Sequence, residues 1–302
     1  MPSRRDFSRT IAWSAACLAV ARAPSIGANN AGIKRQSVRS ADGTIISYAR
    51  LGVGPAIVFS HESLESGAEW MQVATLLSDK FTCYVVDRRG RGKSGPAGNH
   101  SLAAECEDLR VVMEQAGPQA TLLGASYGAI VAIETALRFG VDRLILYEPP
   151  LLLDAESPIA RSLRDSLEPY RKLVEAGSRD EALTYSLVSF AGVPAEVVAD
   201  IKSSSPDAWA TMRDLTPSWI PEIEAIKQMP PGIERYRALK MPILLVSGSD
   251  SPVFLRDVVD GLGNVLPDAR RFTLAGHGHE AHLTAPDELA AGIAEFLAGA
   301  VG

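Results

Sequence analysis

Short, uninterrupted apolar runs dominate the hydrophobic pattern of this 302-residue chain, and each predicts a strand that is buried on both faces. Segments in which apolar residues recur at helical spacing separate these runs. The strand-like runs lie at 56–60, 83–87, 121–124, 144–147, 242–246 and 271–274, with two weaker runs within 33–50, and the helical segments lie at 68–80, 101–115, 127–139, 254–265 and 286–298. Strands that alternate with helices predict an α/β fold, with a mainly parallel sheet flanked by helices on both faces.

One stretch, residues 154–237, breaks this alternation. It shows helical periodicity interrupted by repeated prolines, and it contains no convincing strand. We therefore expect a helical cap over one end of the sheet. The core of the domain would then consist of residues 29–153 and 238–302.

Residues 1–28 are not expected to belong to the fold. Arg4 and Arg5 precede an aromatic residue and an uncharged stretch, residues 10–21, that is too short to span a bilayer. Small residues follow at the positions that a signal peptidase reads, which makes cleavage after Ala23 or Ala28 possible. The segment resembles a twin-arginine export signal, and this resemblance implies a periplasmic or secreted bacterial protein.

Composition and charge narrow the range of partners. Apolar residues make up 46% of the chain, and the net charge of −6 comes without a long basic run. We therefore expect a small-molecule substrate, no nucleic acid and no stable membrane insertion. Cys83 and Cys106 lie in predicted elements of the core, and we favour buried free thiols over the disulfide that an oxidising compartment would permit.

The candidate chemistry begins with Gly124, Ser126 and Gly128, which form a G-x-S-x-G motif directly after a buried strand and before a helix. A sharp turn there would hold Ser126 in a strained conformation with its hydroxyl accessible. The N-terminus of the helix would favour negative charge that develops beside it. A glycine-flanked helix start with a capping serine is the structural alternative, but the context of the motif favours Ser126 as a nucleophile.

With this motif, the chain from about residue 33 to its C-terminus resembles the α/β-hydrolase superfamily. The resemblance includes the segments 87–94, after the fourth strand, and 278–282, after the last strand. In that superfamily the histidine after the last strand is the general base, which implies this role for His279. The resemblance also implies that the backbone N–H groups of Ser63 and Tyr127 form the oxyanion hole.

The loop after the third strand departs from the pattern of the superfamily. Glu62 follows His61 at a position where glycine is usual. A carboxylate beside an oxyanion hole opposes the negative charge that develops there, unless its side chain turns away. This substitution puts the geometry of the hole in question.

Three clustered histidines raise the alternative of a metal site. However, His279 and His282 are one residue closer together than the two histidines of an H-E-x-x-H motif. We therefore expect no metal and no cofactor. His277 and His282 are expected to pack within the loop or to lie at the rim of a pocket.

The acid that would orient His279 has two competing candidates. Asp250 follows the strand after which the superfamily most often keeps its acid, but it lies one residue earlier than usual. Glu148 directly follows another apolar strand, a position that some members use, and Pro149 and Pro150 would fix its loop. A carboxylate that leaves an apolar strand also needs a partner. We favour Glu148 and keep Asp250 as the alternative.

Together these features predict a serine hydrolase that cleaves a carboxylic ester or lactone through an acyl-enzyme on Ser126. Hydrolysis of a C–C bond or cofactor-free perhydrolysis on the same scaffold is one alternative, and a non-catalytic binding protein is another. Trp209, Met212, Trp219 and Ile220 of the cap are expected to shape an apolar pocket. The net negative charge favours a neutral or cationic substrate over an anion.

Overall fold

A computed structural model of the protein describes residues 32–96, 98 and 100–299. An eight-stranded sheet with the strand order β1-β2-β4-β3-β5-β6-β7-β8 forms its centre. The strands β1 to β8 are, in chain order, Lys34–Arg39, Ile45–Gly52, Ala56–Ser60, Thr82–Val86, Thr121–Ala125, Arg143–Tyr147, Ile243–Gly248 and Ala269–Leu274. Strand β2 pairs antiparallel with β1 and β4, and all other neighbours are parallel. The predicted fold class is confirmed.

Helices cover both faces of the sheet, because alternate residues of each buried strand point to opposite sides. The helices α1 to α11 are Met71–Leu77, Leu102–Ala116, Tyr127–Phe139, Pro158–Glu175, Arg179–Ser189, Ala195–Ser204, Pro206–Asp214, Thr216–Gln228, Val253–Val265, Ala281–Thr284 and Pro286–Ala298, with 3₁₀ turns at Gly67–Trp70 and Glu234–Ala238. Val58 packs on the face covered by α2, α3 and α9, whereas its neighbours Ile57 and Phe59 pack on the face covered by α1 and α11.

Five of these helices, α4 to α8, lie between β6 and β7, in the region where the sequence predicts a cap. Apolar residues of α5, α6 and α7 form a small core of their own with Leu64. None of the helices in the described part of the chain is both long and apolar enough to cross a membrane. The export signal predicted for residues 1–28 lies outside the described residues.

A buried network of ion pairs joins the cap to the sheet. Arg88, which follows β4, places Nη2 2.6 Å from Oε1 of Glu222 on α8 and Nη1 2.8 Å from Oε2 of Glu105 on α2. Arg91 donates to the same oxygen of Glu222. All four side chains are almost fully buried. Because a buried charge without its partner is strongly unfavourable, Glu222 fixes α8 against the loop after β4.

Cys83 and Cys106 are both free and buried in the structure. Burial raises the pKa of each thiol to about 12, so both are protonated at neutral pH. This agrees with their interpretation as apolar core residues.

Replacing Glu222 with Gln should strongly destabilise the fold, because it removes the buried counter-charge of Arg91 and leaves Arg88 with Glu105 alone. We expect the free energy of unfolding to fall by about 3 kcal/mol or more. The matched control is Glu224→Gln on the same helix, because Glu224 pairs with Arg171 at 2.5 Å in a partly exposed position and should contribute about 1 kcal/mol or less. Urea unfolding measures both variants, and equal losses would contradict the role of the network.

Candidate active site

Ser126 lies in the turn between β5 and α3 with a left-handed backbone conformation, φ 50° and ψ −122°. Its N–H donates to the carbonyl of Tyr147 at 2.8 Å, which ties the turn to β6. A conformation of this kind costs about 1–3 kcal/mol in a residue other than glycine, so the surroundings must enforce it. Among the described residues other than glycine, Leu64 and Glu148 also have a positive φ, and Leu64 lines the same cavity as Ser126.

The two glycines that flank Ser126 are required by close packing. A Cβ atom on Gly124 would lie 2.3 Å from the carbonyl oxygen of Gly128. A Cβ atom on Gly128 would lie 2.3 Å and 2.4 Å from the carbonyl oxygens of Ser60 and His61. The glycines therefore allow the N-terminus of α3 to approach the end of β3 and the loop that follows it.

His279 lies in the loop between β8 and α10, and its Nδ1 is 2.6 Å from Oε2 of Glu148. Glu148 follows β6 and is fully buried. Its other oxygen accepts a hydrogen bond from the N–H of Gly248 at 2.8 Å. Ser126 and His279 line the same cavity. A carboxylate fixed in this way orients the imidazole and stabilises its protonated form.

The electrostatic environment favours the protonated form of His279. Burial lowers the pKa of His279, but the hydrogen bond to Glu148 and the negative charges of Glu148, Glu280 and Glu62 outweigh it and raise the pKa to about 9. The imidazole of His279 is therefore mostly protonated at neutral pH in the free protein.

Asp250 lies apart from His279, in the turn between β7 and α9. Its side chain is exposed and accepts a hydrogen bond from Ser249 Oγ at 3.0 Å, and its N–H donates to the carbonyl of His277 at 3.0 Å. The structure thus brings Glu148, and not Asp250, to the imidazole of His279.

Ser63 and Tyr127 both line the cavity that contains Ser126. Tyr127 is the first residue of α3, so its N–H has no partner within the helix. In the described part of the chain, the N–H of Ser63 donates no hydrogen bond. Two backbone donors are thus available beside Ser126, as an oxyanion hole requires.

The carboxylate of Glu62 is turned towards Trp70 and His282. Its Oε2 accepts a hydrogen bond from Nε1 of Trp70 at 3.0 Å, and its Oε1 lies 3.5 Å from Nδ1 of His282. The rings of Trp70 and His282 stack at 4.9 Å. Burial opposes ionisation of Glu62, but the charges of His282 and His279 and the hydrogen bonds from Glu65 and Trp70 lower its pKa to about 2. Glu62 therefore carries a buried negative charge.

His277 and His282, which the sequence predicts as packing or rim residues, differ in their burial. His282 is fully buried under Trp70 and does not line the cavity. His277 is half-buried, with Nδ1 3.1 Å from Oγ1 of Thr284.

The cavity has a volume of about 290 Å³ and is mostly apolar. Met212 and Trp219 line it, as predicted for the cap. The prediction was wrong for Trp209 and Ile220, which are not among the lining residues. Trp209 instead packs in the separate core of the cap, and its Nε1 donates to Asp180 at 2.6 Å. The sequence also did not indicate that Glu65, Glu69 and Glu280 line the same cavity.

Among the described residues, two groups of side chains bring potential metal-binding atoms within 4.8 Å of one another. One consists of His100, Glu105 and Glu222, whose carboxylates are already neutralised by Arg88 and Arg91. The other consists of Glu62, Glu65 and His282, at the edge of the cavity.

The sheet order, the strained serine after β5 and the histidine–glutamate pair at the ends of β8 and β6 define an α/β hydrolase. The chain belongs to the alpha/beta hydrolase family, whose model matches residues 57–292.

Comparisons with individual proteins agree with this assignment. The chain is similar to a pimeloyl-[acyl-carrier protein] methyl ester esterase of Vibrio vulnificus, with 24% identity over 81% of this chain and 94% of the relative. Among solved structures it is similar to an alpha/beta hydrolase from Sphaerobacter thermophilus, with a TM-score of 0.76 and 31% identity over 87% of this chain and all of that one. An esterase from a Rhodococcus species shares the fold, with a TM-score of 0.67 and 21% identity over 87% and 98% of the two chains.

Replacing Gly128 with Ala should disrupt the turn, because backbone oxygens occupy the place of the new Cβ atom. We expect a loss of about 1–3 kcal/mol in stability and at least a tenfold slower reaction of Ser126 with a fluorophosphonate. Gly98→Ala, at an exposed position away from α3, is the control, because Gly98 does not have a left-handed φ and no atom lies within 4 Å of its Cβ position. A Gly128→Ala protein that reacts at the wild-type rate would contradict this interpretation.

Proposed function

We propose that the protein is a serine esterase, with Ser126 as nucleophile, His279 as general base and Glu148 as the acid that orients it. The observation that carries this proposal is the 2.6 Å contact between Glu148 and Nδ1 of His279, at a cavity that a strained Ser126 also lines. Similarity to a methyl ester esterase and to a structurally characterised esterase supports a carboxylic ester as the substrate.

The proposed reaction has two steps that share one set of groups. His279 Nε2 takes the proton of the Ser126 hydroxyl as Oγ attacks the ester carbonyl, and the N–H groups of Ser63 and Tyr127 stabilise the oxyanion, each by about 3 kcal/mol. The C–O bond breaks, His279 returns the proton to the departing alcohol, and an acyl-Ser126 ester remains. Water, activated by His279, then hydrolyses this ester and releases the acid.

The same attack on a cyclic ester would open a lactone, so lactones belong to the proposed substrate class. Hydrolysis of a C–C bond and perhydrolysis would use the same nucleophile, and rates with an ester and with a diketone of similar size distinguish these activities. We also retain the prediction that residues 1–28 direct export of the protein.

Hydrolysis of p-nitrophenyl butyrate tests the proposed nucleophile and base. We expect Ser126→Ala and His279→Ala to lower kcat/KM by at least about 10³-fold, because the two residues act as a unit. The exposed Ser203→Ala variant should retain the wild-type rate. Peptide mass spectrometry should place a fluorophosphonate adduct on Ser126. Folded protein that neither hydrolyses esters nor forms this adduct would favour a binding protein instead.

The pH dependence of the fluorophosphonate reaction tests the proposed acid. Because the base must be neutral, the rate should rise about tenfold per pH unit and level off above the His279 pKa of about 9. Glu148→Gln removes the negative charge beside the ring, so we expect a slower reaction and a midpoint shifted towards 6.5, the ordinary value. Asp250→Asn is the control and should change neither. A shifted midpoint in Asp250→Asn, with none in Glu148→Gln, would reverse the assignment.

A further inference from the structure

The ionisable side chains that line the cavity are predominantly acidic. Glu62, Glu65 and Glu69 come from the segment between β3 and α1, and Glu280 follows His279. We refer to these four residues as the acidic cluster. Among the described residues that line the cavity, none is Lys or Arg, and His279 is the one base. An anionic substrate would therefore meet repulsion throughout the polar part of the cavity.

Two members of the acidic cluster flank a single imidazole. Oε1 of Glu62 lies 3.5 Å from Nδ1 of His282, and Oε1 of Glu65 lies 3.3 Å from Nε2 of the same ring. Glu62 is only 4% exposed. Oε1 of Glu62 and Oε2 of Glu65 are both buried, and neither accepts a hydrogen bond from a donor group among the described residues. Among the described residues, neither of the two carboxyl groups forms an ion pair with a lysine or an arginine.

The protonation of the acidic cluster reflects this missing cation. Burial and the negative charge of Glu62 hold the pKa of Glu65 well above its usual range. Burial likewise raises the pKa of Glu69 and of Glu280. These surroundings favour the protonated form of Glu65, which can donate a hydrogen bond to the carboxylate of Glu62. A bound cation could take the place of that proton.

We propose that the acidic cluster binds a cationic group of the ester substrate, of the alkylammonium class. The inference rests on the esterase function proposed above and names its substrate class. An ammonium group that leaves water needs a counter-charge, which Glu65 can supply once its proton has left. The apolar remainder of the cavity, which includes Phe190 and Trp219, would hold the rest of the molecule, and aromatic faces also favour alkylammonium groups.

A divalent metal ion is the competing occupant of this position. One ligand atom from each of Glu62, Glu65 and His282 lies within 4.8 Å of the other two. The mostly apolar lining of the adjoining cavity, which includes Phe190 and Trp219, favours an organic cation over a hydrated metal ion. The experiment therefore includes a metal arm.

The kinetic test compares acetylthiocholine with 3,3-dimethylbutyl thioacetate, an uncharged substrate of the same shape. We expect wild-type kcat/KM to favour the cationic thioester by about tenfold or more, the equivalent of one charge interaction in a partly buried site. Glu65→Gln keeps an N–H that can donate to Glu62 but cannot ionise, so the preference should fall to within about threefold of unity. Glu280→Gln should reduce it less. Glu107→Gln, a surface glutamate paired with Arg110, is the control and should keep the wild-type ratio.

Equal rates for the two thioesters in the wild type, or a preference that survives in both Glu65→Gln and Glu280→Gln, would overturn the inference. Thermal melting curves establish that each variant is folded. If Glu65→Gln does not fold, Glu280→Gln alone tests the preference, because its side chain accepts no hydrogen bond in the described part of the chain.

A binding measurement separates this inference from the proposed function, because it needs no turnover. Ser126→Ala protein is titrated with phenyltrimethylammonium by calorimetry at pH 7, in two buffers of different ionisation enthalpy. We expect binding with release of up to one proton, and neither binding of comparable strength nor proton release in the Ser126→Ala, Glu65→Gln protein. Binding by a protein that hydrolyses no ester would refute the esterase and support the cation site. Ester hydrolysis without binding would support the esterase and refute the cation site.

The metal arm uses the same Ser126→Ala protein after dialysis against a chelator. Titration with Mn²⁺, Zn²⁺ and Ca²⁺ should show no binding that Glu65→Gln removes. Tight binding of one of these ions that depends on Glu65 would overturn the inference in favour of a metal site.

Discussion

The strained turn at Ser126 is the constraint on which the site depends. Gly124 and Gly128 allow α3 to start close against the end of β3, and the hydrogen bond from Ser126 N–H to Tyr147 fixes the turn to β6. The next residue, Glu148, is itself left-handed and connects to Gly248 of β7. Parallel strands that end at one edge of the sheet thus place the serine, the acid and the histidine in register, and the ladder of the sheet holds the strain.

Two groups of buried carboxyl groups among the described residues differ in their charge balance. In the first, Arg88 and Arg91 pair with Glu105 and Glu222, which attaches the cap to the core. In the second, the acidic cluster lines the cavity without Lys or Arg among the described lining residues. Positive and negative side chains match in number in the first group, which serves stability. They do not match in the second group, which is the property expected of a binding site for a cation.

Local patterns in the sequence were sufficient for the fold and for the residues that lie close to a recognisable motif. The apolar runs specified the strands, and the small residues around Ser126 follow from the close packing of α3, which acts over a few residues. The contact between Glu148 and His279 joins residues 131 positions apart, so spacing alone could not separate Glu148 from Asp250. The prediction that Trp209 lines the pocket was wrong for a related reason, because the packing of neighbouring helices decides which face of a cap helix meets the cavity. Glu65 and Glu69 gave no local signal, because a glutamate near the start of a helix is ordinary.

The acidic cluster and the base are electrostatically coupled. The charges of Glu148, Glu280 and Glu62 raise the pKa of His279, which keeps this proposed base protonated in the free protein at neutral pH. The same negative charge would oppose an oxyanion at Ser126. On the inference above, a cation bound at the acidic cluster offsets both effects: it lowers the pKa of His279 and reduces repulsion of the oxyanion. Glu62 stands where glycine is usual, and by itself its charge would oppose the reaction. With a bound cation, Glu62 instead makes hydrolysis selective for cationic esters. A neutral ester leaves His279 protonated and the repulsion of the oxyanion in place.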